Sequence, residues 1–154
     1  MIRKSLLTGS IVALVGAMLT ASATAKSNGP PADFRLEITA NFIAQHGTWV
    51  SSGAFSDEGT LEGVQREGSG ATESLHETLQ GAQGSFTLEI TKALTPIPGQ
   101  TPLGGYTGAN DHGHWRILDG TGAYSGISGQ GQLDGTVDFV TGDINDTLTG
   151  TVRL

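Results

Sequence analysis

Apolar and polar residues alternate with a period of two through most of the chain. The pattern is cleanest where Phe34, Leu36, Ile38, Ala40 and Phe42 interleave with Arg35, Glu37, Thr39 and Asn41. Successive side chains of an extended strand point to opposite faces, so this run predicts a half-buried strand over Phe34–Ile43. The same period predicts strands over Thr48–Phe55, Thr60–Glu67, Glu73–Gln80, Ser85–Lys92, His112–Leu118, Ser128–Val140 and Ile144–Arg153. Leu75 and Leu79 lie four apart, so Glu73–Gln80 also fits one helical turn. Turn-forming clusters rich in Gly, Ser and Asp recur about every eight to twelve residues, the rhythm of an all-β sandwich or barrel. Eight strands fit a closed antiparallel barrel, with a jelly-roll sandwich as the alternative. All five prolines fall outside these strands, as the missing N–H requires. The stretch Ala93–Asp111 has no usable period and holds three of them. It reads either as a lid over one barrel mouth or as an inert insert.

The most informative segment runs from Gly113 to Gly131. Asp119-Gly120-Thr121-Gly122 stops a strand, and glycine tolerates the positive φ of a sharp corner. Tyr124 follows as the one large side chain able to plug that corner. The spacing argues against a phosphate loop and for a structural corner: Gly126 comes one residue too late for G-x-G-x-x-G, no amphipathic helix follows, and no lysine stands in place. The pattern Gly120-Thr121-Gly122-x-Tyr124-x-Gly126-x-x-Gly129 resembles a segment of the allene oxide cyclase and dirigent barrels. Leu148-Thr149-Gly150-Thr151 resembles the end of allene oxide cyclase. The longer string from Trp115 through Gly126, with Ser52–Thr60, is similar to secreted bacterial members of that superfamily of unknown function. The resemblance implies an eight-stranded barrel and either cofactor-free cyclisation of an apolar substrate or the steering of a coupling reaction. The cyclase active-site residues belong to the N-terminal half, where no motif matches, so none is carried over.

Residues 1–25 read as a signal peptide. Arg3 and Lys4 precede the apolar stretch Leu6–Leu19, and Ala23-Thr24-Ala25 forms a cleavage site. Residues 26–33 then form a linker and 34–154 a single barrel domain, secreted or periplasmic. Cleavage leaves six basic against fifteen acidic residues, a net charge of −9. So acidic a chain, with no basic run, argues against nucleic acid and, once the signal is removed, against a membrane. The absence of cysteine excludes disulfides, thiolate metal sites and a cysteine nucleophile. Without disulfides, stability falls to sheet packing and to a possible homo-oligomer.

Candidate chemistry is sparse. His112 and His114 share one strand face and can reach one metal, with Asp111, Asp119, His46 or His76 as further ligands. The alternative is a solvated strand end, and no metal or other cofactor is expected. No G-x-S-x-G elbow is present. Fifteen acids leave room for a glycosidase pair, but none stands out. Asn145-Asp146-Thr147 is a glycosylation sequon. Polar residues on the strands are Glu37, Asn41, Glu67, Glu73, His76 and Glu89, and a glutamate facing the lumen would act as general acid or base through a raised pKa. The leading expectation is a barrel binding a small apolar or aromatic molecule, lined by Trp49, Tyr106, Trp115, Tyr124 and Asn41. The second is a cofactor-free cyclase or isomerase using Glu37, Glu73 or Glu89. The third is a structural or interaction barrel filled by its own side chains.

Overall fold

A computed structural model describes residues 29–67, 72–98 and 105–154. Eight strands follow in order: β1 (Ala32–Asn41), β2 (His46–Gly53), β3 (Glu58–Glu67), β4 (Thr72–Gly81), β5 (Ser85–Pro96), β6 (Gly108–Gly120), β7 (Ser128–Asp138) and β8 (Asp143–Arg153). Each pairs antiparallel with the next, and β8 closes on β1 from Ala32 opposite Val152 to Asn41 opposite Asp143. The fold is therefore a closed up-and-down barrel, and the jelly roll is excluded. Closure pairs every strand with two neighbours, although β2 and β3 meet over only three residue pairs.

Several element limits shift from the sequence expectation. The segment of Leu75 and Leu79 is strand β4, not a helical turn, because its backbone pairs with both β3 and β5. β1 begins at Ala32, two residues into the expected linker. β5 runs on to Pro96, so one proline does lie in a strand, at its last residue. β6 starts at Gly108, so pairing consumes much of the expected lid. The expected signal peptide and the centre of the Pro-rich stretch, with residues 68–71, lie outside the described residues.

The inward face is filled in two unlike halves. At one end Trp49, Phe86 and Tyr124 are buried, and Phe55 packs among them with ring centroids 4.9 Å from Tyr124 and 4.8 Å from Phe34. A middle layer of Leu36, Leu79, Leu88, Ile90, Leu133 and Leu148 follows, each fully enclosed. The glycine corner closes the aromatic end. Gly122 takes φ 62° and opens a short 3-10 turn, which swings Tyr124 inward. Its phenol donates to Asp57 Oδ2 at 2.6 Å, across a sequence separation of 67 residues. That bond holds the Asp57 carboxyl below its ordinary range, while burial and Asp57 raise the Tyr124 phenol.

Tyr124→Phe removes one hydrogen bond to a charged acceptor and leaves the ring packing intact. A loss of about 1–3 kcal/mol is expected in urea unfolding. A loss under about 0.5 kcal/mol would mean that ring packing alone holds the corner.

Candidate functional site

The opposite half of the barrel is not filled. β2 and β3 pair only where Thr48–Val50 face Glu58–Thr60, and the β3 register then shifts between Leu61 and Gly63. Beyond that point β3 parts from β2, and a cavity of about 540 Å³ lies beside it. Ile38, Ala40, Leu61, Leu75 and Ile144 form apolar walls, and Asn41, Phe42 and His46 form the lip. A smaller cavity of about 140 Å³ adjoins it, sharing Phe42, Arg66, Lys92 and Ile144.

The floor is charged. Glu73, Glu77, Lys92, Asp111 and Asp146 are all buried. The period of two places them there: Glu73 and Glu77 are in phase with Leu75 and Leu79, Lys92 with Leu88 and Ile90, and Asp146 with Leu148. Register sets them side by side, Glu73 opposite Lys92 on the β4–β5 pair and Asp146 opposite Ile38 on the β1–β8 pair. Two glycines make the room. A Cβ on Gly113 would stand 2.9 Å from the Lys92 Cβ, and one on Gly135 would stand 1.9 Å from Asp146 Oδ1.

Lys92 Nζ donates to Asp111 Oδ2 at 2.5 Å and lies 3.6 Å from Asp146 Oδ2. Burial by itself would lower the Lys92 pKa, but Asp146 and Asp111 outweigh it and hold the ammonium above its ordinary value. Arg66 approaches Glu73 at 3.5 Å. Glu77 has no such cation in contact. Burial first, and the nearby Asp146 second, push it up to about 7 against the weaker pull of Lys92. Burial likewise raises Asp146 to about 6, with Lys92 opposing and Asp111 adding to the rise. Glu77 Oε2, Asp111 Oδ1 and Asp146 Oδ1 are enclosed with no hydrogen-bond partner among the described residues. A carboxyl that changes ionisation near neutrality can exchange protons with a bound molecule, and its free oxygen can receive a donor.

The sequence candidates divide by strand phase. Glu37 is out of phase with Leu36 and Ile38, so it points outward, where Arg35 donates to it at 2.8 and 2.9 Å. Glu89 is out of phase with Leu88 and Ile90 and pairs on the outer wall with Arg116 and, at 3.7 Å, His76. Neither can serve as the lumen carboxylate. Of the three candidate acids, only Glu73 faces inward. Trp49, Trp115 and Tyr124 line no cavity wall beside the charged floor, because they are spent filling the core. The Trp115 indole donates to the Gln132 and Thr149 carbonyls at 3.1 and 3.2 Å. Tyr106 is 56% exposed on the β5–β6 connection and does not reach the cavity lining. Asn41 does line the cavity. It donates to the Thr141 carbonyl and Asp143 Oδ1, and its Oδ1 accepts from the Ile43 and Ala44 amides, so it ties two connections at the lip.

His112 and His114 lie on the outer face, with His112 Nδ1 2.8 Å from Asp134 Oδ1. Among the described residues, no group of three or more His, Asp or Glu is placed to hold a metal ion. The side chain of Glu67 lies outside the described set. Sequence reasoning missed Glu77, Lys92 and Asp146 and offered Asp111 only as a further metal ligand, although a charge in phase with an apolar stripe was a signal for each of them. Comparison with protein-family models, curated proteins and solved structures finds no match to this chain.

A carboxyl whose folded pKa lies above its unfolded value takes up a proton on folding between the two. Stability is then greatest below the unfolded pKa and falls as pH rises through the folded one. For Glu77 that window runs from 4.5 to about 7, and for Asp146 from 3.8 to about 6. Thermal melts between about pH 5 and pH 8 should show stability falling with pH by roughly 2–3 kcal/mol, and Glu77→Gln should flatten the slope. Asp57 acts with the opposite sign, but below this range. Stability that rises across the interval, or an unchanged slope in Glu77→Gln, would show that Glu77 is ionised without penalty.

Proposed function

We propose that the protein is a small-molecule-binding barrel whose ligand occupies the open half of the lumen. The observation that carries this is the contrast between the two halves. One is packed solid by aromatic side chains, while the other keeps about 540 Å³ free above a charged floor. A barrel serving only as a scaffold would be filled throughout, because empty volume forfeits packing. Ligand cavities of roughly 300–1,000 Å³ with mostly apolar walls and a few polar groups are the usual form of small-molecule sites. An apolar or aromatic body fits against Ile38, Ala40, Leu61 and Leu75, with a polar group toward Glu77 and Asp146. Phe42, Ile43, Phe139 and Val140 extend the apolar surface outward on connections at this end. Secretion, and kinship with the allene oxide cyclase and dirigent barrels, belong to the same proposal.

A second reading makes the cavity the site of a cofactor-free isomerase. It is favoured by Glu77, a buried carboxyl with a pKa of about 7, the value a general acid–base group needs near neutrality. The catalytic role then passes from Glu37 and Glu89, which face solvent, to Glu77.

Titration with the neutral apolar fluorophore N-phenyl-1-naphthylamine tests the binding proposal. Wild-type protein should bind one molecule per chain with a rise and blue shift in emission. Ala40→Trp, which pushes an indole into the cavity, should abolish binding while unfolding remains cooperative. No fluorescence change with wild-type protein, or equal binding by a folded Ala40→Trp variant, would overturn it.

A further inference from the structure

We propose that the cavity selects a ligand bearing a protonated amine, an amphipathic organic ammonium whose head group sits between Glu77 and Asp146. This deepens the binding function proposed above and rests on it. The open half of the lumen is short of positive charge. Among the described residues, four buried carboxyls, Glu73, Glu77, Asp111 and Asp146, stand there with two cations, Lys92 and Arg66. Both cations are already engaged. Lys92 is held between Asp111 and Asp146, and Arg66 lies against Glu73.

That leaves Glu77 as the odd group. Its residue is 7% exposed, it lines the cavity, and its Oε2 has no partner. Asp146 is 5% exposed, also lines the cavity, and has a free Oδ1. Buried acceptors are normally satisfied, and buried charges are normally paired. The missing complement is therefore a cation with several N–H donors and an apolar body for the surrounding walls. An alkylammonium supplies three donors and one positive charge. A hydroxyl supplies one donor and no charge. A carboxylate or phosphate head would meet two acids and a lysine that is already bound. His46 and Glu62 at the lip are the other titratable groups facing the cavity, and they add no fixed positive charge.

Burial raises both Glu77 and Asp146, because desolvation disfavours their charged forms. An ammonium in contact would favour the ionised forms and convert desolvated acids into charge-assisted acceptors.

Three probes with one octyl body separate head group from pocket. At neutral pH, octylamine, 1-octanol and octanoate are titrated calorimetrically into the purified protein. Octylamine should bind roughly tenfold or more tightly than octanol, and octanoate more weakly than either. Glu77→Gln should cut the preference for octylamine over octanol to about threefold or less. Equal affinity for octylamine and octanol, or tightest binding of octanoate, would overturn the ammonium assignment and leave the binding pocket standing. Failure of all three to bind would overturn the pocket itself. The wild-type comparison decides the matter even if Glu77→Gln does not fold.

Discussion

A closed barrel gives each strand residue one of two environments, and strand phase decides which. Pairing of β8 with β1 closes the sheet, so the inward face meets solvent only at the ends and where β3 parts from β2. Whatever the in-phase positions hold must be packed or paired inside. In most of this barrel those positions are Leu, Ile, Phe, Trp and Tyr. In one half they are Glu73, Glu77, Lys92, Asp111 and Asp146. Both the solid core and the charged cavity follow from this single geometric rule.

The halves divide stability from function. The aromatic end carries the corner of Gly122 and Tyr124, the ring cluster around Phe55, and the Tyr124–Asp57 bond that joins the β2–β3 and β6–β7 connections. The charged end does the opposite. Burying ionisable groups there is costly unless each is matched, and the match is incomplete. A fold with no disulfide retains this cost where it also retains empty volume. Local departures from good packing are expected where a protein binds something. The parting of β3 from β2, the gaps left by Gly113 and Gly135, and the unpaired oxygens of Glu77 and Asp146 all fall in this half.

Strand number, the antiparallel order and the glycine corner were legible from the period of two and from turn chemistry, because both are local. Tyr124 as corner plug was legible for the same reason. The candidate site was legible only in part. Asn41 and Glu73 do lie at the cavity or beside its floor, while Trp49 and Trp115 went to the core. Glu37 and Glu89 are ruled out by their own neighbours, since each alternates with an apolar stripe that lies on the opposite face. The in-phase Glu77 and Lys92 carried the reverse signal.

The chain by itself determined the alternation, and with it which residues share a face, for that depends only on backbone geometry. It also determined where the chain turns, through Gly, Pro and Asp. Tertiary structure decided which face became the lumen and which strands met across it. Lys92 meets Asp111 and Asp146 because the registers of β5 with β6, β6 with β7 and β7 with β8 bring three distant segments to one level of the barrel. No local pattern encodes that register. It depends on the joint closure of eight strands, and so do the cavity and the uncompensated charge at its floor.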